Sequence, residues 1–285
     1  MLGGVLRGSK QGIDINSNAT IWAASLLGVV SVLSFIVQPG LVQGFVSELG
    51  LSEPEANDLA FLEMIGFAVG SVFVLIFGRR VSWVKILAVG LILSAIGNFL
   101  SAVVSEPDFF KLCRFGTGVG EGFVMSMSFT IISLTEKPER NFSIFLVFML
   151  TYGAVGLWVM PAAFEVIGLN GIFIIWSIAT LGAVATLRYV PHSVDSRVEP
   201  SPTSVQLGWP LLTVALFGFF LYNSAIGIAW ANLFLIGMEI TPDAQIIANG
   251  LLPVSYNPLK LPTNENIKMT GHSEHKKQQN MTTET

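Results

Sequence analysis

The sequence predicts an all-α fold, a polytopic bundle of transmembrane helices. Hydrophobic residues make up 52% of its 285 residues and charged residues only 12%, whereas a soluble domain carries about 25% charged residues. Seven apolar stretches approach the roughly 20 residues that a helix needs to cross a bilayer. A chain so poor in charge lacks the polar coat of a water-soluble surface, so its expected surroundings are the lipid bilayer.

The apolar stretches give the order of the helices. The predicted spans are residues 21–38, 59–78, 84–104, 109–134, 142–167, 169–189 and 211–236. The first six are joined by short connections, and the link between the fifth and sixth is barely a turn. They are therefore expected to form one domain over residues 21–190, after a cytoplasmic segment at 1–20.

The rest of the chain divides into a linker, a helix and a tail. Residues 191–208 hold three prolines and several charges, which is typical of a polar linker, here on the cytoplasmic side. Residues 209–237 are expected to form the seventh helix, which opens with Trp209 and Pro210, a favourable start at a membrane interface. Residues 238–285 are expected to be a polar, disordered tail, because large apolar residues are nearly absent after 257.

Composition and motifs also argue against several classes of function. Its single cysteine, Cys113, excludes an internal disulfide and a multi-cysteine metal site. No phosphate-cradling loop, nucleophile elbow or zinc signature is present, so neither an enzyme nor a cofactor is expected. The basic residues are scattered, so no nucleic-acid partner is expected.

The placement of Lys and Arg predicts a cytoplasmic N-terminus. That orientation puts most basic residues in cytoplasmic loops, as the positive-inside rule requires. They are Arg7, Lys10, Arg79, Arg80, Lys85, Lys137, Arg140, Arg188 and Arg197. The predicted loop between the first two spans, residues 43–58, is acidic and has no basic residue. The chain is therefore expected to be a multi-pass protein of a plasma or inner membrane.

Two short motifs have particular physical meaning. Gly70 is followed by the basic pair Arg79 and Arg80 in the loop between the second and third spans. In the fourth span, Arg114, Gly118 and Gly122 follow one another at intervals of four residues. The two glycines give a flat helix face for close packing, and an arginine inside a span normally faces a partner or a wet cavity.

These motifs, with six spans, a polar linker and a seventh span, resemble the major facilitator superfamily of transporters. The resemblance implies that Gly70, Arg79 and Arg80 belong to a gating loop and that Gly118 and Gly122 pack helices. The loop departs from the family pattern, because Ile76 and Phe77 stand where its aspartate is usual. The resemblance covers the N-terminal half and the seventh helix, so the chain is expected to be a truncated transporter.

Three ionisable residues lie within the spans: Glu63, Arg114 and Glu121. Glu63 and Arg114 are expected at similar depth, and Glu121 lies about 10 Å deeper on the face of Arg114. A carboxylate at that depth is costly to keep ionised, and proton coupling requires a group that gains and loses a proton. A purely structural bridge of Arg114 to Glu63 or to Glu121 is the alternative.

The resemblance also implies a substrate cavity between the first, fourth and seventh spans. The polar residues expected to line it are Ser34, Gln38, Ser126, Tyr222 and Asn223. Serine often satisfies its hydroxyl on its own helix, so Asn223 is the strongest of these candidates. The weakly charged lining favours a neutral or hydrophobic small molecule.

The predicted function is therefore secondary active transport of a small solute by alternating access, with protons as a candidate coupling ion. Alternating access needs two halves around a central site, so a homodimer or a second half-transporter is a candidate partner. The alternative is a membrane scaffold or interaction protein, derived from a transporter, that does not transport. A seven-helix receptor is disfavoured by the cytoplasmic N-terminus.

Overall fold

The structure is a computed structural model that describes residues 13–78, 80–104, 106–192 and 208–256. Every regular element in these ranges is helical, which confirms the predicted all-α class. The elements are α1 (Asn18–Val30), α2 (Leu33–Ile36), α3 (Gln38–Leu49), α4 (Glu53–Phe77), α5 (Trp83–Val103), α6 (Pro107–Ser133), α7 (Pro138–Ala183), a 3-10 helix (Val184–Tyr189), α8 (Trp209–Ile240) and α9 (Ala244–Tyr256).

The outer surface of the bundle is apolar. Leu75 and Val166 are each 82% exposed, and Ile178 is 65% exposed. Soluble proteins rarely expose large continuous apolar surfaces, whereas lipid tails solvate them. By length and composition, α4, α5 and the stretch Pro138–Tyr189 can each cross a membrane.

The first predicted span is longer than predicted and is broken twice. It extends over α1, α2 and α3, with non-helical backbone at Val32 and Val37. Pro39 lies in the first turn of α3 and accounts for the second break, because proline has no N–H and its ring clashes with the carbonyl four residues earlier. Only α2, a single turn, lies between the two breaks.

The predicted loop over residues 43–58 is mostly helical, which corrects the sequence prediction. Gly50, in the left-handed conformation with φ of 66°, ends α3. Ser52 and Glu55 form a capping box that starts α4. Apolar runs delimit the part of a helix inside lipid, so a prediction from them assigns polar helix ends to the loop.

Glycines bring α4 and α6 into backbone contact. A Cβ at Gly118 would overlap the carbonyl oxygen of Glu63, and one at Gly122 would overlap that of Phe67. From the other side, Gly70 of α4 lies against the backbone of α6. Because no side chain separates the two helices here, groups on their facing sides lie unusually close together.

The helix α7 contains the fifth predicted span and, together with the 3-10 helix Val184–Tyr189, the sixth. Its 46 residues are interrupted at Gly168, where φ is 65° and ψ is 179°. Only glycine adopts this conformation without strain, so the chain folds back at this residue. The prediction of a turn at this link therefore agrees with the structure.

The last two helices return to the first part of the chain. The amide of Asn57 in α4 donates to Asn232 Oδ1 in α8 at 2.9 Å. Gln245 of α9 donates to the carbonyl of Trp158 in α7 at 3.3 Å, and Ala248 is fully buried. The expectation of a disordered tail from 238 is thus wrong for Ala244–Tyr256, which is apolar enough to pack as a helix; residues 257–285 lie outside the described ranges.

Candidate functional site

The three charged residues predicted within the spans form one buried cluster. Arg114 is 0% exposed, Glu121 is 1% exposed and Glu63 is 2% exposed. Arg114 Nη2 donates to Glu63 Oε1, so Arg114 bridges to Glu63 and not to Glu121. The pairing lowers the high cost of burying each of these two charges alone.

Glycine packing is the reason that Arg114 reaches Glu63. The backbone of Glu63 lies directly on Gly118, one turn of α6 beyond Arg114. At this separation, the side chains of neighbouring turns on α4 and α6 meet. The predicted packing residues Gly118 and Gly122 therefore hold together the two helices that carry the cluster.

Ser34 connects the two carboxyl groups. Its Oγ is 2.8 Å from Glu63 Oε1 and 3.0 Å from Glu121 Oε1. Ser34 lies on the short helix α2, so both breaks in the first span flank this contact. In membrane transporters, such interrupted helices often carry substrate and ion sites.

The contacts of the cluster are fully satisfied as hydrogen bonds only if one more proton is present. A serine hydroxyl has a single hydrogen to donate. If both carboxyl groups were ionised, one of the two contacts of Ser34 would have no hydrogen. A proton on Glu121 satisfies both contacts: the carboxyl group donates to Ser34, and Ser34 donates to Glu63. Together with the charge of Arg114, this arrangement is electrically neutral.

Two further side chains hold Arg114 in place, and neither was predicted from the sequence. Asn98 of α5, 2% exposed, accepts a hydrogen bond from Arg114 Nη1 at 3.0 Å. The ring of Phe173 in α7 lies 4.9 Å from the guanidinium carbon, within the range of a cation–π interaction. Asn98 could have been found from the sequence, because an asparagine inside a span cannot satisfy all the hydrogen bonds of its amide on its own helix. A phenylalanine inside a span is ordinary, so Phe173 could not.

Tyr152 of α7 was also missed, and it contacts the broken part of the first span. Its hydroxyl donates to the carbonyl oxygen of Leu33 at 2.9 Å, next to Ser34. The same side chain lines two apolar cavities. One of about 800 Å³ lies between α1 and α7, and one of about 230 Å³ lies along α7 beyond it.

The other predicted cavity residues do not join the cluster. Gln38 is buried, Ser126 is half-buried, and Tyr222 is 66% exposed on α8. The side chain of Asn223 lies outside the described part of the structure. In the described ranges, no group of three or more His, Cys, Asp or Glu residues could hold a metal ion.

Of the predicted gating-loop residues, Gly70 and Arg80 are described, and neither contacts the charged side chains of the cluster. Gly70 is in the α4–α6 contact. Arg80 is exposed in the turn after α4, and its backbone N–H donates to the carbonyl of Phe77 at 2.8 Å. Arg79 lies outside the described residues.

Comparison with known sequences now identifies the family. The family described as Major Facilitator Superfamily matches residues 23–256. The chain belongs to this superfamily. The predictions of superfamily membership and of an integral membrane protein are confirmed, and the superfamily is one of transporters.

Two individual proteins show how far the likeness extends. A Bacillus subtilis (strain 168) protein, provisionally named niacin/nicotinamide transporter NiaP, is 29% identical over 133 residues, which is 47% of this chain and 32% of that protein. A solved structure of a bacterial homologue of the human drug peptide transporters PepT1 and PepT2 has a TM-score of 0.50 at 15% identity. That match covers 83% of this chain and 56% of the other, and it shows a shared fold. The chain thus matches less than a third of the curated relative's length and about half of that solved chain.

Proposed function

We propose that the chain functions in secondary active transport, moving a small solute by alternating access and coupling it to protons at Glu121. The observation that supports this proposal is the buried set Glu121–Ser34–Glu63–Arg114, which accommodates one additional proton. Glu121 Oε2 has no hydrogen-bond partner although it is buried. A buried carboxyl group with one oxygen that makes no hydrogen bond is suited to taking up and releasing a proton as its surroundings change.

We propose a small, weakly charged and partly aromatic molecule as the substrate. The cavity of about 800 Å³ is lined by Trp22, Phe148 and Tyr189 among other mainly apolar side chains. Aromatic walls favour flat ring compounds through stacking and edge contacts. The name of the Bacillus subtilis relative makes nicotinamide and nicotinate the first compounds to test.

The test is uptake of radiolabelled nicotinamide and nicotinate into lipid vesicles that contain the chain, with and without an inward proton gradient. We expect the gradient to accelerate uptake by the wild type. Glu121→Gln keeps the shape of the side chain but cannot lose a proton, so gradient-driven uptake should fall at least about tenfold, which corresponds to about 1.4 kcal/mol.

Glu165→Gln is the matched control, because Glu165 is an exposed glutamate of α7; it should transport like the wild type. Equal gradient-driven uptake by Glu121→Gln and the wild type would refute proton coupling at Glu121. If the wild type is folded and copurifies as a homodimer but takes up neither compound, nicotinamide and nicotinate are rejected as substrates. Failure of such a homodimer across a wider panel of small ring compounds would favour the scaffold function over transport.

We further propose that the N-terminus is cytoplasmic and that a second half completes the transport path, supplied by another copy or another chain. The positive-inside pattern of the loops supports the orientation. The exposed apolar side chains Trp22 and Phe148, which pack on each other with ring centroids 5.2 Å apart, offer an apolar face to such a half. Copurification of two differently tagged copies would distinguish a homodimer from a monomer.

A further inference from the structure

We propose that Asn98 is a positioning residue: it fixes Arg114 onto Glu63 and thereby leaves Glu121 free to exchange a proton. This inference deepens the proposed function and rests on it for its biological meaning. Its geometric basis is independent of any substrate. Asn98 is buried in α5 and accepts from Arg114 Nη1 at 3.0 Å.

The guanidinium is held from three different helices. Glu63 of α4 accepts from Nη2, Asn98 of α5 accepts from Nη1, and Phe173 of α7 lies against the guanidinium face. Guanidinium donors are rigidly arranged in one plane. Two acceptors from separate helices therefore determine the direction in which that plane points.

The alternative partner of Arg114 is close. Glu63 Oε1 contacts both Arg114 and Ser34, and Ser34 contacts Glu121. Only one hydroxyl group therefore separates the acceptor of the guanidinium from the second carboxyl group. Glu121 Oε2 and Arg114 Nε both lack partners, so an unrestrained guanidinium would gain a contact by turning toward Glu121.

Within the part of the chain that the structure describes, few other charged groups face Glu121. On α4 the facing charged group is Glu63, on α6 it is Arg114, and on α7 the nearest titratable group near Ser34 is Tyr152, which is bound to Leu33. Helix α1 has no charged residue, and the one of α5, Lys85, lies in its first turn. Among the described residues, Glu63 and Arg114 are therefore the charges next to Glu121, and Asn98 fixes the direction of Arg114.

The experiment is an infrared titration of the full chain in lipid vesicles, following the protonated-carboxyl band that Glu121→Gln removes. In Asn98→Leu, Arg114 loses its anchor and turns toward Glu121, so the midpoint of this band should move to lower pH by about one unit or more. In Asn98→Asp, the acceptor is kept but a negative charge is added, so the midpoint should move to higher pH. Ser101→Ala is the control, because Ser101 is buried in the same helix but donates only to the carbonyl of Gly97; its midpoint should match the wild type.

A purely structural role of Asn98 would change the amount of folded protein without moving the midpoint. An unmoved midpoint in Asn98→Leu, or the absence of a band that Glu121→Gln removes, would overturn the inference. Should Asn98→Leu not fold, the smaller neutral variant Asn98→Ala takes its place, since it also removes the acceptor, and an unmoved or raised midpoint in that variant contradicts the inference. The titration needs no substrate, so a failure of transport in the uptake assay is distinguished from a failure of this inference.

Discussion

At the scale of single residues, α6 carries two ion pairs that should differ greatly in their contribution to stability. Arg114–Glu63 is buried, with side chains 0% and 2% exposed, whereas Lys111–Asp108 has side chains 49% and 86% exposed. Glu63→Gln leaves a buried guanidinium without its charge partner and should cost about 3–5 kcal/mol. Asp108→Asn should cost at most about 1 kcal/mol, because water and salt screen an exposed pair.

Thermal unfolding of the two variants in the same detergent measures this difference. The double variant Glu63→Gln with Arg114→Gln should recover part of the loss, because it leaves no unpaired charge in the bundle. Equal unfolding temperatures for Glu63→Gln and Asp108→Asn would contradict the buried bridge.

Residue patterns alone could predict part of this cluster. Glu63, Arg114 and Glu121 are identifiable because ionisable residues are rare inside spans, and their depths can be counted along the helices. The choice of Glu63 over Glu121 as the partner of Arg114 could not be predicted, because it depends on how α4 and α6 are rotated and spaced. The contacts of Phe173 and Tyr152 likewise depend on the fold of α7 at Gly168.

At the scale of the helices, the α4–α6 contact predicts opposite effects on stability when two neighbouring glycines are replaced by alanine. A Cβ at Gly118 would overlap the backbone of Glu63, whereas one at Gly116 would meet only Leu93 Cδ1 at 3.9 Å. Gly118→Ala should therefore force the helices apart and cost about 1–3 kcal/mol. Gly116→Ala should be neutral or stabilising by up to about 1 kcal/mol, because alanine favours the helix more than glycine does.

Thermal unfolding checks the sign of each change, and the same two variants connect helix packing to the site. Because Gly118 sets the distance between Glu63 and Arg114, Gly118→Ala should also impair the uptake described above, while Gly116→Ala should not. A destabilising effect of Gly116→Ala as large as that of Gly118→Ala would show that the contact face is assigned wrongly.

The order of the spans was predictable, but the ends of the helices, the two breaks in the first span and the helix α9 were not. Apolar runs locate the part of each helix within lipid, so the predicted first span stops at 38 whereas α3 continues to Leu49. The signals for the true boundaries are local: Pro39 for the break, Gly50 for the end of α3, and Ser52 with Glu55 for the start of α4. The function of the break, which places Ser34 between two carboxyl groups, depends on long-range packing.

At the scale of the whole molecule, the fold and the loop charges together predict which ends of the helices lie on the same side of the membrane. Glu136 donates from its backbone N–H to Asn16 Oδ1 at 2.7 Å, so the start of α1 and the turn before α7 lie at one end of the bundle. The turn at Gly50, one long helical passage from Asn16, lies at the opposite end. The positive-inside pattern predicts that the first of these ends is cytoplasmic.

Single cysteines at Ile13, Lys137 and Glu53 test this arrangement, on a Cys113→Ser background because Cys113 is the chain's own, buried cysteine. All three positions are exposed. In intact cells, a membrane-impermeant maleimide should label Glu53→Cys, whereas Ile13→Cys and Lys137→Cys should react only after the membrane is permeabilised. Labelling of Ile13→Cys and Lys137→Cys alone in intact cells would invert the proposed orientation yet leave the fold intact. Labelling of one of these two without the other would contradict the fold, because the Asn16–Glu136 contact requires them on one side.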